Sequence, residues 1–89
     1  MAWRIRFERS AERDLDKLGK PASDRILKFL FGRVAILEDA RSIGEALNGP
    51  RFGQFWKYRV GDYRIVARID DQAVTVLVFQ VGHRRDIYR

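Results

Sequence analysis

The sequence contains no cysteine, so neither a disulfide nor a thiolate metal site can hold it together. It has a single histidine and no His/Cys cluster, which argues against a zinc centre and predicts no metal or cofactor. No apolar run approaches the roughly 18 residues of a membrane span. The opening Met-Ala-Trp-Arg-Ile-Arg-Phe-Glu alternates instead of forming the apolar block of a secretion signal. Repeats and low-complexity segments are absent as well. A chain of 89 residues has no room for a second core, which predicts one domain over residues 1–89. These absences together predict a soluble, cytoplasmic protein.

What is present is an apolar fraction of 46% with 12% aromatics, enough for a packed core and too much for a disordered chain. Net charge is +6, and it is unevenly placed. Residues 1–50 carry 10 basic and 8 acidic side chains, whereas residues 51–89 carry 8 and 4. Three of those later acids, Asp62, Asp70 and Asp71, fall in expected turns, away from the strand cations. A local basic surplus favours a polyanionic partner, or an acidic protein that neutralises it.

The hydrophobic pattern predicts the order β-α-α-β-β-β. Trp3, Ile5 and Phe7 alternate with Arg4, Arg6 and Glu8, as in a half-buried strand. Ser10 reads as the N-cap of a helix over Ala11–Leu18 that ends at Gly19. Glu12 and Asp14 lie near its start, where the helix dipole favours acids. Pro21 suits the first turn of a second helix running to about Glu38, with Ile26, Leu27, Leu30, Phe31, Val34 and Leu37 as its apolar stripe. Residues 39–53 read as a loop holding Gly44, Gly49, Pro50 and Gly53, with a turn of helix around Ile43–Leu47. Strands follow over 54–60, 63–69 and 73–82, joined by Gly61-Asp62 and by Asp70-Asp71-Gln72. The fold class is therefore α+β: an antiparallel sheet of about four strands, with an N-terminal helical hairpin packed on one face.

A two-residue loop at Gly61-Asp62 sets the register. Val60 then faces Tyr63, Arg59 faces Arg64, Tyr58 faces Ile65 and Lys57 faces Val66. One face carries Trp56, Tyr58, Val60, Tyr63, Ile65, Ala67 and Ile69. Pairing Ile69 with Val74 adds Val76 and Val78 to that face. The opposite face carries Lys57, Arg59, Arg64 and Arg68 beside Val66, Leu77 and Phe79. A like-charge pair directly across two strands is destabilising unless an anion or solvent screens it. Long cations covering a solvated sheet face are one reading of the pattern. Four of them converging on a patch favour phosphate recognition. After Val81 and Gly82, whose small size permits a sharp turn over the basic face, come His83, Arg84, Arg85 and Tyr88. A tyrosine there can stack on a base, and His83 carries an imidazole, a side chain that can serve as proton donor or acceptor.

The stretch Trp-Lys-Tyr-Arg-Val-Gly-Asp-Tyr-Arg-Ile-Val from Trp56, with the closing Val-Phe-Gln-Val-Gly-His-Arg-Arg-Asp-Ile-Tyr, resembles the RelE branch of the RelE/ParE toxin superfamily. The Ala-Glu-Arg-Asp-Leu-Asp-Lys-Leu helix fits that likeness too, so it covers almost the whole chain. The resemblance implies the toxin of a type II toxin–antitoxin pair, a metal-independent endoribonuclease. Such toxins cut mRNA in the ribosomal A site, with contacts to 16S rRNA, by attack of the 2′-hydroxyl on the adjacent phosphodiester. By position it implies catalytic roles for Lys57, Arg59, Arg64, His83, Arg84 and Tyr88, while Arg68 on the basic face and Arg85 in the tail read as RNA-binding cations. Arginine is rarely deprotonated, so the general base is Lys57 or His83. The implied partners are a cognate acidic antitoxin protein and, only through that antitoxin, operator DNA. Two other readings stay open: a ParE-like inhibitor of DNA gyrase, and a non-catalytic basic binding module.

Overall fold

The structure, a computed structural model, describes residues 2–47 and 54–87. Tyr88 and the loop residues Gly49, Pro50 and Gly53 lie outside the described residues. Strand β1 (Arg4–Phe7) is followed by helices α1 (Arg9–Leu18) and α2 (Lys20–Phe29), the second prolonged by a π-helical turn over Leu30–Val34. Strands β2 (Glu45–Ala46), β3 (Trp56–Val60), β4 (Tyr63–Asp70) and β5 (Thr75–His83) complete the order. The α+β class and the helical hairpin are as expected. The short β2 stands where the sequence suggests a turn of helix.

The five strands lie in the order β1-β5-β4-β3-β2. Strands β2 to β5 are antiparallel to their neighbours, but β1 runs parallel to β5. The sheet is therefore mixed, which corrects the all-antiparallel expectation. Alternation along β1 identifies a strand without identifying its neighbour, and the intervening helices supply the crossover that a parallel pair requires.

Local chemistry explains the helix ends. Gly19 sits between the helices at φ 85°, a region that glycine enters without steric cost. Pro21 occupies the first turn of α2, where its missing N–H is harmless. Ile26, Leu30 and Val34, four residues apart on one helix face, are fully buried against the sheet. The helix stops at Val34, short of Glu38, where the chain turns to meet Trp3. The Trp3 amide donates to the Ala35 carbonyl at 2.7 Å and its indole N–H to the Leu37 carbonyl at 3.0 Å. Ser10 is not the cap of α1, which starts at Arg9 with Glu8 in the cap position.

The core lies between the helices and one sheet face, with Trp3, Tyr58, Ile65, Val76 and Val78 among its members. Register across β3 and β4 agrees pair by pair with the sequence reading, from Val60↔Tyr63 to Lys57↔Val66. The β4–β5 register does not. Ile69 pairs with Val76 rather than Val74, and Val74 lies in the turn at φ 48°. The slip is two residues, so Val76 and Val78 still face the helices. A bulge then intervenes: Val66 pairs with Gln80 but Ala67 with Val78, which leaves Phe79 as the extra residue. Beyond it the alternation of β5 is inverted. Among the described residues no helix is long and apolar enough to cross a membrane.

Candidate functional site

The face of the sheet away from the helices carries the strand cations in rows set by the register. Arg59, Arg64 and Gly82 form one row across β3, β4 and β5. Glu45, Lys57, Val66 and Gln80 form the next, one step along the strands. The like-charge Arg59–Arg64 pair is therefore real.

Arg64 is the unusual member of the set. Its residue is only 8% exposed, rare for arginine without a carboxylate, and no ion pair to it exists among the described residues. Its Nη1 instead donates to the carbonyls of Gly61 at 2.9 Å and Tyr63 at 2.8 Å. The turn that joins β3 to β4 thus holds the guanidinium in place through neutral acceptors and leaves its charge uncompensated. Arg59 is exposed. Lys57 is half-buried with Nζ 3.9 Å from the Glu45 carboxylate, its cross-strand neighbour.

The tail returns to the same end of the sheet. The Arg84 amide donates to the Asp62 carbonyl at 2.7 Å, and its Nε lies 4.0 Å from the Asp62 carboxylate. Ile87 is buried. A Cβ added to Gly82 would lie 2.9 Å from Ile87 Cδ1, so the Ile87 side chain packs down on the bare glycine backbone beside Arg64. Lys57, Arg59, Arg64 and Arg84 are thereby gathered around the β3–β4 turn and the rows next to it.

His83 does not join them. The bulge at Phe79 turns it to the helix side of the sheet, paired with Tyr63 and with the two rings 6.1 Å apart, edge to face. Its Nδ1 accepts the Arg85 amide at 3.4 Å. The expected position of His83 over the basic face is corrected accordingly. Arg85 is exposed on the tail, and Arg68 lies at the far end of β4, beside Leu77 and Arg6. Arg4 and Arg6 were not singled out by sequence reasoning. Their alternation with Ile5 and Phe7 showed the polar side of β1, but only the pairing with β5 places that side with the basic face. Asp62, read as a turn residue, also proves to be the anchor of Arg84.

A second cluster braces the opposite corner. Arg41 donates to both oxygens of Asp71, at 3.0 and 2.6 Å, and to Asp39 at 3.3 Å. The hydrogen bond from Arg41 holds the Asp71 carboxyl below its ordinary pKa. Among the described residues no three His, Cys, Asp or Glu side chains come together as a metal site would need.

Residues 5–88 match the family model described as ParE toxin of the type II toxin–antitoxin system parDE. The chain belongs to the RelE/ParE superfamily of type II toxins. It is similar to toxin RelG of Mycobacterium tuberculosis, at 37% identity over the whole of this chain and 99% of that protein. Toxin RelE of the same organism is 29% identical, over 98% of this chain and 87% of its own length. The fold resembles that in the crystal structure of the M. tuberculosis toxin–antitoxin complex RelBE2, with a TM-score of 0.85 and 31% identity. That match covers 97% of this chain and 95% of the other.

Proposed function

We propose that this toxin is a ribosome-dependent endoribonuclease that cuts mRNA in the A site, by attack of a 2′-hydroxyl on the adjacent phosphodiester. The observation that carries the reading is Arg64, almost fully buried, directly across from Arg59, and held by carbonyls instead of a carboxylate. A pair of guanidiniums kept in register without a counter-charge suits a phosphate that bridges them. In the reaction Lys57 takes the 2′-hydroxyl proton, the 2′-oxygen bonds to phosphorus, and the bond to the 5′-oxygen breaks. Arg59 and Arg64 stabilise the charge that builds on the phosphorane. Arg84, whose amide is tied to the Asp62 carbonyl, donates to the leaving oxygen, which takes its proton from water. His83, turned toward Tyr63, has no role in this scheme, and Tyr88 keeps the nucleotide-stacking role that the family likeness suggests.

A cognate antitoxin is the second partner of this reading, supported by the similar chain of the RelBE2 toxin–antitoxin complex. An acidic segment laid over the Arg59–Arg64 row would neutralise it and block the site together.

Primer extension on mRNA in a reconstituted translation system, with and without ribosomes, tests the reading. We expect cuts within the A-site codon only when ribosomes are present. Arg59→Gln removes an exposed cation and should lower the cleavage rate by about 10²–10³-fold with an unchanged melting temperature. Cuts on free RNA would identify a ribonuclease that does not need the ribosome. Absence of cuts in both arms, with inhibition of gyrase supercoiling, would replace the proposal with the ParE-type activity that the family model's description suggests.

A further inference from the structure

On the same open face, toward the β1 edge, Arg4, Arg6 and Arg68 line a hollow of about 670 Å³ together with Thr75 and Leu77. The register explains their convergence. Arg6 and Arg68 pair with Leu77 from opposite sides, and Arg4 pairs with Thr75. Residues that flank one intervening strand have Cα atoms about 10 Å apart, a span that two arginine side chains close by leaning over that strand. Asp70 and Asp71 also line the hollow, yet both are engaged elsewhere. Asp71 is held by Arg41, and Asp70 accepts the Ala73 amide at 3.1 Å. Arg4, Arg6 and Arg68 have no ion pair or side-chain hydrogen bond among the described residues. Three exposed guanidiniums thus share one concavity with Asp70, whose amide hydrogen bond leaves its charge in place. The positive charge still exceeds the negative, and the guanidinium fork is matched bidentately by phosphate.

We propose that this hollow is a second phosphate site, which holds the backbone of the same RNA strand that meets Arg59 and Arg64. The inference rests on the RNA reading above and adds Arg4 and Arg6 to it. Arg64 and Arg68 are four residues apart on β4, which separates the two sites by about 13 Å along the strand. Val66, itself buried, lies between them on the same face, and Leu77, half-buried in the Arg68 row, gives the hollow an apolar wall for a sugar or base. Charge at both ends of one strand, with an apolar middle, fits a regular polyanion better than a single acidic side chain of a protein.

The test is site-resolved NMR of the full chain, titrated separately with a short oligouridylate, with tripolyphosphate and with an oligoglutamate peptide. We expect the Nε–H signals of Arg6 and Arg68 and the Leu77 amide to shift with the first two probes. Arg6→Gln combined with Arg68→Gln changes exposed, unpartnered side chains. It should reduce the slope of log K against log salt for the oligouridylate by about 0.7, the value for one phosphate on a single strand. Shifts confined to Arg59, Arg64 and Gly82, or an unchanged slope, would overturn the second site and leave the proposed activity standing. Shifts at the hollow without any at Arg59 and Arg64 would keep the site and count against that activity. A response to oligoglutamate alone would assign the hollow to a protein partner and overturn the inference.

Discussion

At the scale of single residues, two charged side chains are spent on backbone rather than on other charges. Arg64 closes the β3–β4 turn, and Asp14 closes an open strand edge. β1 is 4 residues long and β5 is 9, so the second half of β5 has no strand on its β1 side. Helix α1 covers that edge. Ser10 Oγ donates to the Phe79 carbonyl at 2.7 Å, and the Asp14 carboxylate accepts the Val81 amide at 3.0 Å. Removing the acceptor leaves a part-buried N–H unpaired, so Asp14→Ala should cost about 1–3 kcal/mol in urea unfolding. Asp14→Asn keeps a carbonyl oxygen in place and should lose less. The exposed neighbour change Asp16→Ala should stay within about 0.5 kcal/mol, and equal losses at 14 and 16 would sink the argument. From the sequence Asp14 reads as a charge near a helix N-terminus. Its partner lies 67 residues away and no local pattern announces it.

At the scale of elements, legibility followed how tightly the connection constrains the chain. The Gly61-Asp62 loop allows one register, and every β3–β4 pair read from it is present. The β4–β5 connection is longer, and hydrophobic alternation tolerates a two-residue slip without changing faces, so Val76 and Val78 were placed correctly by a wrong pairing. The bulge at Phe79 carries no glycine and no other local sign. It alone decides that His83 faces Tyr63 instead of the cations. The π-helical turn gives a test at the same scale. Gly32 sits in it, exposed and without positive φ, and a Cβ there would meet nothing within 4 Å. Gly32→Ala should therefore raise stability by about 0.4–1 kcal/mol through the lost entropy of the unfolded chain. The urea midpoint should rise with the m-value unchanged. A fall would mean that the wide turn itself needs the freedom of glycine.

At the scale of the whole molecule, the sheet, the α2 layer and the segment before β2 meet at Tyr58. It is fully buried, its ring lies against Phe29 edge to face at 6.0 Å, and its hydroxyl donates to the Ala40 carbonyl. Arg41, next in sequence, ties that segment to Asp71 and lies over the Trp56 ring at 5.8 Å. Burial raises the Tyr58 pKa from 10.0 to about 12, the nearby Arg41 charge opposing this less strongly. Because the folded value is the higher one, the unfolded chain ionises first as pH rises. Stability is therefore intact below pH 10 and is lost as pH climbs from there toward 12, by up to about 3 kcal/mol at roughly 1.4 kcal/mol per unit. Tyr58→Phe removes this titration. At neutral pH it should cost about 1 kcal/mol, since the Ala40 carbonyl loses its donor. Between pH 10 and 12 the gap should close and then reverse, as the wild-type chain weakens and the variant does not. The comparison needs urea midpoints for both proteins at several pH values, so that any alkaline effect common to the two cancels. Curves that stay parallel to pH 12 would mean that the Tyr58 phenol ionises without unfolding, and that this corner of the fold opens to water locally.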